Sequence, residues 1–162
     1  MKNKWWYFLA LGLLGLDMLT KFLTDGLDIE GTNIFVDIIS VHNFGASWGM
    51  LSGHGGLFVV LAFVFVVLML CYDFLVKKDN NENGWFFVGF NLVLAGIVGN
   101  AIDRIVFGYV RDFISLGFMN FPVFNVADVC LTVGTICIIV WLLFFYGKNK
   151  NKEKEKTNDN NS

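Results

Sequence analysis

Two aspartates toward the end of the chain have the most chemistry available to them. Asp128 closes the run Phe121-Pro122-Val123-Phe124-Asn125-Val126-Ala127-Asp128 at the mouth of an apolar segment, and Asp112 precedes it within Gly108-Tyr109-Val110-Arg111-Asp112-Phe113. A carboxylate at the centre of a bilayer costs roughly 2.5 to 3.5 kcal/mol to insert, so an acid kept at the edge of a greasy helix points to function. Asp112 stands between hydrophobic neighbours, which raises a carboxyl pKa by desolvation. Asn125 is placed to N-cap the following helix, which leaves Asp128 at its third position with the carboxylate near the positive helix end. If the intervening loop folds back so that the two acids meet, they cannot both ionise comfortably and they share a proton. Such a pair can do the work of an aspartic protease, one carboxylate taking a proton from water while the other donates to the carbonyl oxygen. The competing reading is a capping acid and an unrelated surface acid.

Three other clusters carry polar side chains. Asp17-Met18-Leu19-Thr20-Lys21 sets Asp17 and Lys21 at i and i+4 on one helix face, either as a helix-end ion pair or with the lysine snorkelling to the interface. In His42-Asn43-Phe44-Gly45-Ala46-Ser47-Trp48-Gly49, the Asn43 amide can hold a peptide backbone and Gly45 and Gly49 permit close approach, the alternative being an ordinary Asn-Gly-rich turn. Gly99-Asn100-Ala101-Ile102-Asp103-Arg104 puts Asn100 and Asp103 on one face that must point into a bundle or toward water, with the fixed charge of Arg104 beside them. A purely structural polar cluster competes there. His42 and His54 have no partners at metal spacing and read as surface residues, and Cys71, Cys130 and Cys137, without a C-x-x-C, read as small core residues. Ser47, Ser52 and Ser115 lack a G-x-S-x-G elbow, and the nearby Lys21 already has an acidic partner, so a Ser/Lys hydrolase has no support.

The elements that position these residues follow from composition. Of 162 residues 56% are hydrophobic and 16% charged, which excludes a water-soluble domain of ordinary composition. Apolar runs long enough to cross about 30 Å of hydrocarbon lie at about 5–23, 57–76, 84–106 and 126–146. They predict an all-α integral membrane protein of four transmembrane helices, one domain over 1–146, with no internal repeat. The first run follows Lys2 and Lys4 but has no small-x-small cleavage site and contains Asp17, so it is expected to stay uncleaved. Lys2, Lys4, Lys77, Lys78 and the lysines from Lys148 to Lys156 place both termini and the middle loop in the cytoplasm. The loops Thr24 to Gly56 and Phe107 to Asn125 then face outward, and the outer face is the working face. Ile34 to Val41, rich in β-branched residues, predicts a short sheet on the membrane surface within the first outer loop. Gly147 to Ser162, a Lys/Glu/Asn run, has too little apolar surface to fold and is expected to be a disordered cytoplasmic tail. The net charge of -2 gives no indication of nucleic-acid binding.

Taken together, Asp17-x-x-Thr20-Lys21, Asn43-x-Gly45-Ala46, Gly99-Asn100-x-x-Asp103-Arg104, Val110-x-Asp112-Phe113 and Phe121-Pro122-x-Phe124-Asn125-x-Ala127-Asp128 resemble the motif set of bacterial lipoprotein signal peptidase, or signal peptidase II. The likeness runs from the first span to the fourth, in family order. It implies a four-helix membrane aspartyl protease that cleaves prolipoproteins just before a cysteine carrying a diacylglyceryl group. On that pattern Asp112 and Asp128 form the catalytic dyad. Asn43, Asn100, Asp103, Arg104 and Asn125 hold the substrate backbone or orient the dyad, and Asp17 and Lys21 belong to the supporting polar cluster. The first outer loop forms a β-rich cradle over the peptide, substrate arrives laterally from lipid, no metal or organic cofactor is required, and the cyclic peptide globomycin occupies the cleft. Ala95 and Ser47 depart from the family in packing positions. Arg111 is the less comfortable departure, since a guanidinium beside Asp112 lowers its pKa unless the side chain points away.

A function of another class also fits the residues: a small proton- or cation-coupled transporter with Asp17 and Asp103 as intramembrane carriers. The acids cluster at the outer helix ends, whereas transport sites lie near the midplane.

Overall fold

A backbone crossing hydrocarbon must satisfy its own hydrogen bonds, and the apolar runs of this chain do so as helices. The computed structural model describes residues 6–29, 35–45, 50–75 and 84–146. The expected tail over 147–162, the lysines that set the orientation, and Ser47 and Gly49 lie outside these residues. The elements are α1 (Trp6–Thr24), β1 (Asp28–Ile29), β2 (Asp37–Asn43), α2 (Gly55–Leu75), α3 (Gly84–Phe107), β3 (Val110–Ser115) and α4 (Val126–Trp141), the last continued by a π-helical turn over Leu142–Tyr146. Among the described residues, four helices are long and apolar enough to cross a membrane, as the sequence leads one to expect.

The helix α3 lies at the centre, packed on α1, α2 and α4. It buries 44% of its span, whereas α2 fully buries none of its own and turns most of its Phe, Val and Leu side chains outward. Large apolar side chains exposed on this scale suit contact with lipid. Close approach of α3 and α4 depends on missing side chains: a Cβ at Gly89 would lie 2.8 Å from the Gly134 carbonyl oxygen, one at Gly134 2.8 Å from that of Gly89, and one at Gly96 2.5 Å from that of Ala127. An aromatic cluster of Phe86, Phe90 and Trp141 fills the end of the bundle where α3 begins and α4 finishes. The buried charged side chains gather at the opposite end.

A sheet of order β1-β2-β3, antiparallel throughout, covers that polar end. Here the structure corrects the expectation that the sheet belongs to the first outer loop alone. Its third strand comes from the loop between α3 and α4, with Val41 opposite Asp112 and Asn43 opposite Val110. The reason is that, among the described residues of its own loop, β2 pairs with just the two residues of β1, and a lone hairpin is marginal in water. Pairing with β3, which buries Val110 and Phe113, completes the layer. Asn43 therefore ends a strand instead of sitting in a turn. The cysteines need a second correction: Cys130 and Cys137 are buried, but Cys71 is exposed, because it lies on the outer side of α2 while Met69 and Tyr72 take the side packed on the core.

Candidate active site

Two main-chain devices bring the two aspartates to one place. Phe124 is bonded to β3, its N–H donating to the Ile114 carbonyl at 3.0 Å and its carbonyl accepting from Ile114 at 2.8 Å and Phe113 at 3.0 Å. The chain ahead of α4 is thereby strapped to the strand that carries Asp112. Asn125 then caps α4 with an extended backbone. Its Oδ1 accepts from the Asp128 N–H at 3.0 Å, and Asp128 Oδ2 accepts from the Asn125 N–H at 3.2 Å, a reciprocal box that satisfies first-turn donors.

The fully buried Asn125 spends its other end on the second acid, Nδ2 donating to Asp112 Oδ1 at 2.6 Å and to Asn100 Oδ1 at 3.1 Å. Asn43 Nδ2 donates to Asp112 Oδ2 at 2.9 Å, and Asn100 Nδ2 donates to Asp128 Oδ1 at 2.8 Å. Each carboxylate thus has both oxygens engaged by protein donors, with Asn125 common to the two. Asp112 is buried while Asp128, Asn43 and Arg104 are only partly so, which leaves one side of the pair approachable. Burial pushes the Asp112 carboxyl up to about 7, and the nearby Asp128 charge adds to this. The Asn43 and Asn125 hydrogen bonds and the Lys21 charge work the other way.

Beneath the pair lies a buried ionic layer. Lys21 has no exposed surface and does not snorkel: its Nζ is 2.8 Å from Asp17 and 3.3 Å from Asp103, and it donates to Asn100 Oδ1 at 3.0 Å. That last bond fixes the amide of Asn100 so that its NH2 faces Asp128. Asp17 Oδ1 accepts the Ala127 N–H at 2.8 Å, tying α1 to the first turn of α4. Asp103 has both oxygens engaged by Arg111 and Lys21. It receives Arg111 through Nη2 at 2.7 Å and through the backbone N–H at 3.0 Å. The Arg111 guanidinium also covers the Phe107 ring at 4.4 Å, so it points away from Asp112, as alternation along a strand requires.

Arg104 closes the approachable side. Its Nη2 donates to the Gly45 carbonyl at 2.9 Å, Nη1 to the Asn100 carbonyl at 3.4 Å, and its guanidinium stands 4.6 Å from the Phe58 ring centroid. Sequence reasoning missed Phe58, one aromatic in a uniformly apolar span, and the Gly45 carbonyl, since a main-chain group leaves no mark in a sequence. The remaining singled-out residues lie apart: Ser115 ends β3 opposite Asp37, Ser52 and His54 are exposed, and His42 stacks on Tyr109 at 4.0 Å.

An apolar four-helix bundle, capped by a small sheet and holding two amide-clamped carboxylates at one end, defines a multi-pass membrane protein built around a polar site. The family described as signal peptidase (SPase) II matches residues 9–144. The lipoprotein signal peptidase of Enterococcus faecalis is 40% identical over 143 residues, covering 85% of this chain and 87% of that relative. That of Dehalococcoides mccartyi is 40% identical over 144 residues, covering 85% and 84%. A solved structure described as a bacterial membrane enzyme, determined by the in meso method at 2.3 Å resolution, superposes with a TM-score of 0.75 at 34% identity, covering 84% of this chain and 85% of that one. A second of the same description, at 1.9 Å, gives 0.73, also at 34% identity, covering 85% and 92%. The chain belongs to the signal peptidase II family and is a membrane peptidase.

Proposed function

We propose that this peptidase removes signal peptides from diacylglyceryl-modified prolipoproteins, cleaving just before the lipidated cysteine, with Asp112 and Asp128 as its aspartic dyad. The observation that carries the assignment is Asn125, which bonds both acids at once and holds them in one hydrogen-bonded unit. With its carboxyl pushed up to about 7, Asp112 keeps a proton near neutrality and is the acid of the pair. Asp128, held by Asn100 and by its own helix cap, is the base. Water attacks the scissile carbonyl carbon, its proton passing to Asp128 as the Asp112 proton passes to the carbonyl oxygen. Collapse of the tetrahedral species breaks the C–N bond, Asp128 returning its proton to the leaving amine while Asp112 recovers one from the gem-diol. Asn43 orients Asp112, Asn100 and Asn125 hold the pair together, and Asp17, Lys21 and Asp103 fix the layer beneath. Arg104 Nε is buried with no acceptor among the described residues, which suits it to a substrate carbonyl.

The lysine pattern of the sequence supports an orientation with both termini in the cytoplasm and the site and its sheet at the outer face. The four-helix domain is drawn over 1–146, with 147–162 a cytoplasmic tail. Substrate reaches the site laterally, its acyl chains lying along apolar helix faces, and globomycin competes for the same cleft; nucleic acid has no part. The transporter reading loses its carriers, because Asp17 and Asp103 are both held in buried ion pairs.

The test is cleavage of a diacylglyceryl-modified prolipoprotein by purified protein in detergent. Asp112→Asn and Asp128→Asn should each lower kcat by about 10²- to 10⁴-fold, with substrate still bound and the fold intact. An Asp112→Asn variant that cleaves at the wild-type rate would remove Asp112 from the dyad.

A further inference from the structure

Arg111 is the immediate chain neighbour of Asp112 in β3 and is tied down at several points. Three of its donors reach Asp103: the backbone N–H at 3.0 Å, Nε at 3.4 Å and Nη2 at 2.7 Å. Its guanidinium rests on Phe107 at 4.4 Å, and its carbonyl accepts from Asn125 Nδ2 at 3.4 Å. Asp112 is the next residue of the same strand. The side chain of Arg111 is thus bolted to α3 on one side of β3 while its neighbour faces the site on the other.

The charges around this contact can be counted. From α1 come Asp17 and Lys21, from α3 Asp103 and Arg104, from α4 Asp128, and from β3 Arg111 and Asp112 itself. The strand β2 offers the neutral Asn43 to Asp112, while His42, opposite Arg111 in register, is exposed and lies 3.6 Å from Asp25. Among the described residues, four carboxyl groups therefore face three cations. The layer is neutral when the two acids of the site hold one proton between them, and it carries an excess charge when they hold none or two. In a poorly solvated cluster such an excess is costly.

Resting on the dyad assignment above, we infer that Arg111 is a positioning residue: its bond to Asp103 anchors Asp112 in the site, and its charge balances the layer so that the dyad carries one proton. Removing that charge drives the pair toward a second proton over the pH range in which the wild type holds one.

The experiment compares pH profiles of kcat and KM for wild type, Arg111→Gln and Arg111→Lys, with thermal unfolding in the same detergent and Asp112→Asn as control. Arg111→Gln, which keeps a donor but loses the charge, should lower kcat about tenfold at neutral pH with KM nearly unchanged, and move both limbs of the profile upward by at least about half a unit. Arg111→Lys should keep the wild-type profile even where its kcat falls. If the two variants have the same profile, or Arg111→Lys is shifted, the charge balance is wrong; if neither folds, Arg111 is structural only and the inference falls. A fully active Asp112→Asn control instead sinks the dyad assignment, whatever Arg111 does.

Discussion

Asn125 answers two demands with one side chain. Its oxygen caps α4 and its nitrogen holds Asp112. Aspartate caps a helix as well as asparagine but has no NH2 to give, so Asn125→Asp separates the two roles. Circular dichroism should show the helices retained, while cleavage falls by about 100-fold or more because Asp112 loses a donor and gains a like charge. Asp112 also marks the pH dependence of stability. Its folded-state value of about 7 lies above the ordinary 3.8, so the folded protein binds more protons than the unfolded between those values. The stability it contributes is present below about pH 4 and is lost as pH rises through about 7. Unfolding temperatures in detergent should fall over that interval, and Asp112→Asn should flatten the slope. The acids, the cap and the three amides are all legible in the sequence as residue types. Their partners are not, because hydrogen bonds such as Lys21 to Asn100, across 79 positions, depend on which helices touch.

At the scale of elements, the spacing between α3 and α4 is set by glycine, and it decides whether the site closes. A methyl group at Gly96 would meet the Ala127 carbonyl at 2.5 Å, a main-chain atom next to Asp128. Neither helix can yield there without lifting the first turn of α4 away from Asp17. Gly96→Ala should therefore destabilise by about 1 to 3 kcal/mol and depress activity beyond what the loss of folded protein explains. Thermal unfolding and specific activity of the folded fraction, measured together, check this; an active, equally stable variant would show the helices to be further apart. Gly99→Ala is expected to act differently, since its methyl would lie 2.6 Å from a side-chain atom, Asp17 Oδ2, and would disturb the Lys21 pair before the helix packing. The helices are readable because a backbone in lipid has few other options. The strand β3 is not, because Val110 to Ser115 gains its order from β2 and from Phe124, neither of them a local neighbour in sequence.

For the whole molecule, the proposed orientation has a direct test. In a Cys71→Ser background, cysteines introduced singly at Ser52 and at Gly84, both exposed and at opposite ends of the bundle, should differ in intact cells: a membrane-impermeant maleimide labels the first and spares the second. The reverse pattern would put the site in the cytoplasm. Burial is distributed accordingly, with α3 in the centre, α2 at the periphery with most of its surface outward, and the charged layer at the end covered by the sheet. Composition by itself determined four membrane spans and two acids at the edge of the apolar segments, because hydrophobic length and residue type are local properties of a chain. The order of the motifs, through their resemblance to signal peptidase II, marked Asp112 and Asp128 as the candidate dyad of a peptidase. Only the tertiary structure decided that one asparagine joins the two acids, that Lys21 is buried instead of reaching for water, and that Arg111 turns from Asp112 to Asp103. Those outcomes follow from through-space contacts between α1, α3, α4 and a strand from another loop, where desolvation makes every unpaired charge costly and so selects one arrangement.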